Sequence, residues 1–322
     1  MEQVDRLQAM LRQEVTSYRT VDYLAPDYQT QLLAARFGQV EELILEDGGT
    51  ASSASSTGTI SESWRDKICE WCYQVVDHFD YSREVVSVAM HYLDRFLARK
   101  VVNKRVFQLA AMAALVLAVK LNEPAKLSMS AMIELSRGYF TVAQMEAMEL
   151  SLMRELQWLL HPPCSFNFIK NIVYLLPQQH SGPHARQDIL ELSRFLSELS
   201  IIDYFFVAQR PSHVAVAAIA NAMQSIGTVS FQTQRDFLEL LALLDMNVED
   251  EGIVNCRYRL QLLYSQGGYA NASSQQPRPE STPSPVSVAY GTQAYQPPTE
   301  ESTAAPQQDT EKREGNPQGS SS

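Results

Sequence analysis

The side chains that could perform chemistry are few and lie far apart in the sequence. Cys69 and Cys72 form a C-x-x-C pair, but no second C-x-x-C completes the ligand set of a zinc site. They fall inside a helical pattern, where a thiol behaves as a small apolar core side chain. His91, His161 and His213 stand apart, and we find no G-x-S-x-G, P-loop, H-E-x-x-H or G-x-G-x-x-G motif. We therefore expect no catalytic residue, no metal site and no cofactor.

Four charged residues occupy helix positions whose neighbours are apolar: Arg65, Asp94, Lys120 and Glu149. Leaving one member of a buried ion pair unmatched costs about 3 to 5 kcal/mol, so each charge should meet an opposite one. Two acids and two bases allow two pairs inside the fold. Alternatively, some of these charges anchor a segment of a partner in a desolvated patch, as interface hot spots do.

One apolar stretch dominates the elements that must position these charges. Residues 106–120 are mostly alanine, leucine, valine and methionine without glycine or proline, which favours a helix. Apolar residues on every face predict a core helix that other helices surround. Its length of about 15 residues is below the roughly 20 that cross a bilayer, so we expect no membrane partner.

Two consecutive series of five helices follow from the apolar periodicity, and the third helix of each series is apolar on most sides. No strand pattern interrupts them. We therefore predict an all-α fold of two consecutive five-helix units. The predicted helices span residues 64–79, 85–97, 106–120, 129–135 and 141–158 in the first unit, and residues 166–176, 189–202, 212–223, 231–244 and 248–264 in the second.

The two predicted units, residues 61–161 and 162–266, lie between two segments of different composition. Residues 1–60 are predicted to form a helical N-terminal extension and a Gly/Ser/Thr-rich linker. Residues 267–322 are rich in Pro, Gln, Ser and Thr with almost no apolar periodicity, which predicts a disordered tail. Thr282 and Ser284 each precede a proline and are candidate sites for a proline-directed kinase. An inert solubilising tail is the alternative.

The overall composition limits the partners and the compartment. The net charge is −11 and no cluster of basic residues stands out, so we expect no nucleic-acid partner. The four cysteines are few and unevenly spaced, which suits a reducing compartment, and no secretory signal is visible. The sequence therefore predicts a nuclear or cytoplasmic location, or both.

Four segments, in order, resemble the cyclin family. R-x-x-I-x-x-W from Arg65 is similar to the start of the family's first box, and HYLDRFLARK at residues 91–100 resembles its N-Y-[IL]-D-R-F-L segment. LAVKLNE at 117–123 resembles L-A-S-K-[FLY]-E-E, and MELSLMRELQW at 148–158 resembles M-E-x-x-[IV]-L-x-x-L-x-[FW]. The second unit matches more loosely, through residues 198–206 and 211–219. M-L-R-Q-E near the start, a later D-Y-L and the AVKLNEP variant look closest to D-type or algal cyclins.

The resemblance implies a regulatory subunit that binds and activates a cyclin-dependent kinase in control of the cell cycle, with no residue doing chemistry itself. Arg65 and Asp94 would pair internally, whereas Lys120 and Glu149 would face the kinase. The further kinase-facing positions implied by the resemblance are Leu121, Glu123, Met153, Trp158 and Leu160.

The family also has a substrate-docking patch, which would bind kinase substrates or inhibitors. Its counterparts here are Trp64, Ile68, Trp71 and Gln108, and Lys67 replaces an aliphatic residue. Two other functions compete with the kinase regulator: a cyclin-fold adaptor in transcription that binds no kinase, and a helical enzyme.

Overall fold

The computed structural model describes residues 2–34, 60–125, 127–177, 184–227 and 229–266. Within these ranges the chain is helical and contains no strand, so the predicted all-α class is confirmed. The predicted tail, with Thr282 and Ser284, lies outside the described residues. Within residues 2–34, two helices precede the first unit, α1 (Glu2–Thr16) and α2 (Pro26–Ala34). The first unit holds α3 (Glu62–His78), α4 (Glu84–Leu97), α5 (Lys104–Asn122), α6 (Met129–Leu135) and α7 (Val142–Glu155). The second holds α8 (Ser165–Leu175), α9 (Ala185–Ile202), a 3-10 turn (Tyr204–Ala208), α10 (Pro211–Ser225), α11 (Phe231–Leu243) and α12 (Glu251–Gln266).

Helix α5 is the centre of the first unit, as its apolar sequence predicts. Residues 107 to 119 are all buried, and α4 and α7 pack along the helix. The side chain of Asn103 accepts a hydrogen bond from the backbone N–H of Val106 and fixes where the helix begins. In the second unit α10 has the same role, with α8, α9 and α12 packed around it.

By length and composition alone, α5 could also cross a membrane. It has 19 residues and a mean hydropathy of 1.5 in its most apolar window, yet 72% of that window is buried inside the fold. A core helix of a helical bundle meets the same criteria, because the protein interior and the lipid bilayer both exclude water.

Two helix ends show how local side chains set the boundaries. Thr141 and Gln144 form a capping box at the start of α7, with both reciprocal hydrogen bonds present. Helix α12 begins at Glu251, three residues after the predicted start, because Asn247 and Asp250 hold the preceding residues in a turn. The carboxylate of Asp250 accepts a hydrogen bond from the Asn247 N–H, and the Asn247 side chain accepts one from the Glu249 N–H.

The N-terminal extension contacts the cores of both units. Leu7 and Met10 of α1 belong to the core of the second unit, whereas Tyr23 belongs to that of the first. The buried carboxylate of Glu14 accepts hydrogen bonds from the backbone N–H of Ser212 (2.9 Å) and from its hydroxyl (2.6 Å), at the start of α10. Burial raises the pKa of Glu14, although the bonds from Ser212 oppose this shift. Residues 2–34 are therefore part of the fold and join the two units.

Candidate partner-binding site

Arg65 of α3 and Asp94 of α4 form a buried, bidentate ion pair. Arg65 Nε lies 2.8 Å from Asp94 Oδ1 and Nη2 lies 2.9 Å from Oδ2. Tyr23 donates a further hydrogen bond to Asp94 Oδ1 at 3.0 Å, and Arg65 Nη1 donates to the carbonyls of Ile201 (2.8 Å) and Ile202 (3.1 Å) at the end of α9. Burial alone would lower the pKa of Arg65, but Asp94 holds it above its ordinary value. This pair is internal and ties α3 and α4 to the second unit.

Lys120 and Glu149 form the other pair, and it lies at the surface. Lys120 Nζ lies 2.7 Å from Glu149 Oε1 and 2.6 Å from Oε2. The side chain of Lys120 is 38% exposed and that of Glu149 is 12% exposed. All four charges thus have partners within the chain, yet this pair alone is accessible to another protein.

Apolar side chains stand exposed near the Lys120–Glu149 pair along the chain. Leu121 follows Lys120 at the end of α5, and Trp158, which follows α7, is 63% exposed. Leu150 and Val142 of α7 are exposed too, and the sequence analysis did not single them out. Val142 lies seven residues before Glu149 and therefore on the same face of the helix. Leu150 lies outside the apolar stripe of α7 that holds Met145 and Leu152, and this position was the signal that would have identified it.

The backbone at Trp158 and at the residue before it has an unusual conformation. Gln157 and Trp158 have φ angles of 54° and 60°, in the left-handed region that residues with a Cβ rarely adopt. Their N–H groups donate to the carbonyls of Arg154 and Met153 and so close the end of α7. Strained backbone of this kind tends to persist where function requires it.

The remaining predicted kinase-facing residues are less accessible. Glu123 is partly exposed and accepts a hydrogen bond from the Ser82 N–H at 3.1 Å. Met153 is partly buried against the core of the first unit. Leu160 is buried, and its carbonyl accepts a hydrogen bond from the Tyr92 hydroxyl. A contact between Leu160 and a partner would therefore involve little of its side chain.

The predicted substrate-docking residues are mostly inside the protein. Ile68, Trp71 and Gln108 are 1%, 0% and 0% exposed, and only Trp64 is partly exposed. Of the four predicted docking residues, Trp64 is therefore the one that contributes to the protein surface. Substrate docking there remains a prediction.

The four cysteines are free and buried, as the sequence analysis expected. Burial raises the pKa of the Cys69 thiol to about 12. Cys69 and Cys72 both belong to the core of the first unit. In the part of the chain that the structure describes, no group of three or more His, Cys, Asp or Glu side chains could hold a metal ion.

Asp66 of α3 gives the fold a measurable pH dependence. Partial burial and the nearby carboxylates of Asp203, Glu62 and Glu70 raise its pKa to about 6, although Arg65 opposes the shift. A raised pKa means that the folded state resists ionisation of Asp66. The contribution of the neutral carboxyl to the free energy of unfolding is therefore lost as the pH rises from about 4 through 6. Asp66→Asn should therefore be at least as stable as the wild type at pH 7 and lose that advantage at pH 4, as measured by urea unfolding.

The exposed Glu134→Gln on α6 serves as the matched control for Asp66→Asn, because it removes one carboxylate from a side chain in water. Its free energy of unfolding at pH 7 should differ from that of the wild type by less than about 0.5 kcal/mol. An Asp66→Asn variant that loses stability at pH 7 would contradict the assignment.

Two five-helix units, each built on a buried third helix, define an all-helical protein of the cyclin fold. Residues 39–161 match the family model "Cyclin, N-terminal domain" and residues 163–276 match "Cyclin, C-terminal domain". The chain belongs to the cyclin family, whose members are regulatory subunits and not enzymes. The fold likeness extends to the crystal structure of a viral cyclin from herpesvirus saimiri, with a TM-score of 0.52, 14% identity, and coverage of 65% of this chain and 89% of that one.

Among curated relatives, the G2/mitotic-specific cyclin S13-7 of Glycine max is 30% identical over 163 residues, which is 51% of this chain and 61% of the relative. Cyclin-B1-1 of Oryza sativa subsp. japonica is 28% identical over 163 residues, which is 51% of this chain and 36% of the relative. The chain therefore spans only about a third to three fifths of the length of these relatives. The D-type or algal subtype remains a prediction.

Proposed function

We propose that this cyclin binds and activates a cyclin-dependent Ser/Thr kinase in control of the cell cycle. The observation that carries the proposal is the exposed Lys120–Glu149 pair, with exposed Leu121, Leu150 and Trp158 close to it in the sequence. An exposed tryptophan with aliphatic side chains is typical of an interface centre, and a charge pair beside them would fix the orientation of the partner. The name "G2/mitotic-specific" of one relative supports the cell-cycle role.

The proposed mechanism is allosteric. A protein kinase is active only when its strand lysine pairs with the glutamate of a mobile helix. A cyclin docked against that helix would hold it in the active position, as other ordering contacts do in switching enzymes. The interface should bury roughly 2,000 Å² or more, because activation requires a stable complex. This chain would supply binding energy and no reacting group.

The proposed location is the nucleus, the cytoplasm or both, because the four buried free thiols suit a reducing compartment. Substrates and inhibitors of the kinase are further proposed partners. Neither nucleic acid nor membrane is part of the proposal.

The test is affinity purification of the full chain from dividing cells, with identification of the captured kinase and a phosphorylation assay on the eluate. We expect a proline-directed kinase with the wild type. Lys120→Ala/Glu149→Ala should reduce its capture about tenfold, since the pair lies at the interface. Removing both charges leaves neither member of this pair without its counter-ion, and thermal unfolding verifies that the double variant is folded.

Arg235→Ala/Glu239→Ala is the matched control, because it removes an exposed ion pair from α11 in the second unit. It should capture as much kinase as the wild type. If no kinase is captured, or if the Lys120/Glu149 variant retains it, the transcriptional adaptor becomes the better hypothesis.

A further inference from the structure

Arg95 of α4 is a buried cation that binds backbone carbonyl oxygens. Its Nη1 group donates to the carbonyl of Leu159 at 3.0 Å, and its Nη2 group donates to the carbonyls of Leu156 at 3.3 Å and Ser17 at 3.4 Å. The guanidinium also lies 5.2 Å from the centroid of the Tyr18 ring. Only 3% of Arg95 is exposed. One side chain thus joins the residues that end α7 to the residues that follow α1.

Two further side chains near Arg95 bind the same end of α7. Tyr92, three residues before Arg95, donates to the carbonyl of Leu160, and Arg99, four residues after it, donates to the carbonyl of Glu155. Residues three and four positions apart share one face of a helix, so these donors lie on one edge of α4 and its end. Together the three side chains hold backbone carbonyls on both sides of Trp158.

The charge of Arg95 suits the end of α7, whereas its burial is unfavourable. The C-terminal end of a helix carries partial negative charge, which favours a cation there. Burial and the nearby charge of Arg99 lower the pKa of Arg95, and its partners among the described residues are carbonyls and a tyrosine ring, not a carboxylate. A buried charge of this kind is tolerated only where its hydrogen bonds are satisfied. What those bonds achieve here is to order the backbone around Trp158.

We propose that Arg95 is a positioning residue for the kinase-binding site. Its guanidinium fixes residues 156–160 in the backbone conformation that leaves the Trp158 ring exposed, and Tyr18 holds the guanidinium against the end of α7. The inference rests on the proposed function, because it takes Trp158 as part of the kinase interface. It also links the N-terminal extension to partner binding, since a movement of Tyr18 would change the orientation of Trp158.

The test labels the full chain with 5-fluorotryptophan and records fluorine NMR spectra. The chain has three tryptophans, and Trp158→Phe identifies the signal of Trp158. In Arg95→Met this signal should shift and narrow as the ring becomes mobile, whereas the signal of the buried Trp71 should stay in place. Capture of the kinase should fall about tenfold, because residues 156–160 must then be ordered on binding. An unchanged Trp158 signal would overturn the proposal. So would an equal shift of the Trp71 signal, which would show that Arg95 acts on the whole unit.

Arg186→Met is the matched control, because Arg186 makes the same kind of contacts at the end of another helix. It donates to the carbonyls of Val173 (2.8 Å) and Tyr174 at the end of α8, and its guanidinium lies 5.5 Å from the centroid of the Tyr174 ring. The control should leave the Trp158 signal and the capture of the kinase unchanged. A loss of capture as large as that of Arg95→Met would contradict a specific role for Arg95.

Arg95→Lys separates the charge from the geometry, and it serves if thermal unfolding shows that Arg95→Met is not folded. Lysine keeps the cation but lacks the planar fork that reaches the carbonyls of Leu156 and Leu159 together. The Trp158 signal should therefore move in the same direction as in Arg95→Met, by a smaller amount, with a smaller loss of capture. A wild-type spectrum with wild-type capture would overturn the proposal. If the wild type captures no kinase, the proposed function fails, and the spectra still decide whether Arg95 positions Trp158.

Discussion

Arg65→Ala should destabilise the fold by about 3 to 5 kcal/mol, because it leaves the carboxylate of Asp94 buried without its counter-ion. The substitution also removes the donor to the carbonyls of Ile201 and Ile202, which are the direct link from this pair to the second unit. Urea unfolding of the full chain at pH 7 measures the loss. If the variant does not fold, Arg65→Lys should show a smaller loss, since lysine keeps the charge but not the bidentate geometry.

Arg83→Ala is the matched control for Arg65→Ala. Arg83 also bridges the two units, with Nε 2.8 Å from Glu198 and Nη1 2.7 Å from Asp77, but its side chain is partly exposed to water. Exposed ion pairs contribute about 0.2 to 1 kcal/mol, so its loss should lie in that range. Equal losses for the two variants would mean that burial does not determine the role of the Arg65–Asp94 pair.

The helices themselves were predictable because their signals are local. The apolar composition of α5 and the Thr141 capping box are contained within single stretches of sequence. The four charged residues at helix positions with apolar neighbours were also identified from the sequence. They form two ion pairs within the chain, Arg65–Asp94 and Lys120–Glu149. What separated the pairs was their exposure, which depends on the packing of several helices and cannot be deduced from one of them.

Contacts between distant segments were not predictable from periodicity. Tyr23 donates to Asp94 across 71 positions and Glu14 accepts from Ser212 at the start of α10 across 198 positions, and neither residue stood out in the sequence around it.

The backbone at the end of α7 illustrates a conflict between stability and function that the sequence did not reveal. Glycine is the usual residue at a left-handed helix end, yet this chain has Gln157 and Trp158 there. For a residue with a Cβ, the left-handed conformation costs about 1 to 2 kcal/mol relative to the right-handed helical conformation. If Trp158 is retained in spite of that cost, its exposed ring should contribute to binding.

Trp158→Gly should therefore stabilise the free protein while weakening its capture of the kinase. Relief of the left-handed backbone should raise the free energy of unfolding by about 0.5 to 1 kcal/mol, after the greater freedom of glycine in the unfolded chain is taken into account. A tryptophan hot spot contributes about 2 kcal/mol or more, so capture should fall about thirtyfold. Urea unfolding and quantitative affinity purification of the same preparations measure the two effects.

Gln157→Gly is the matched control for Trp158→Gly, because it relieves a backbone with nearly the same φ angle, 54° against 60°. It should gain similar stability and retain full capture of the kinase, since Trp158 stays in place. A Trp158→Gly variant that captures as much kinase as Gln157→Gly would remove Trp158 from the interface. A loss of stability in Trp158→Gly alone would instead show that the exposed ring packs on the fold, and its left-handed backbone would then follow from packing and not from binding.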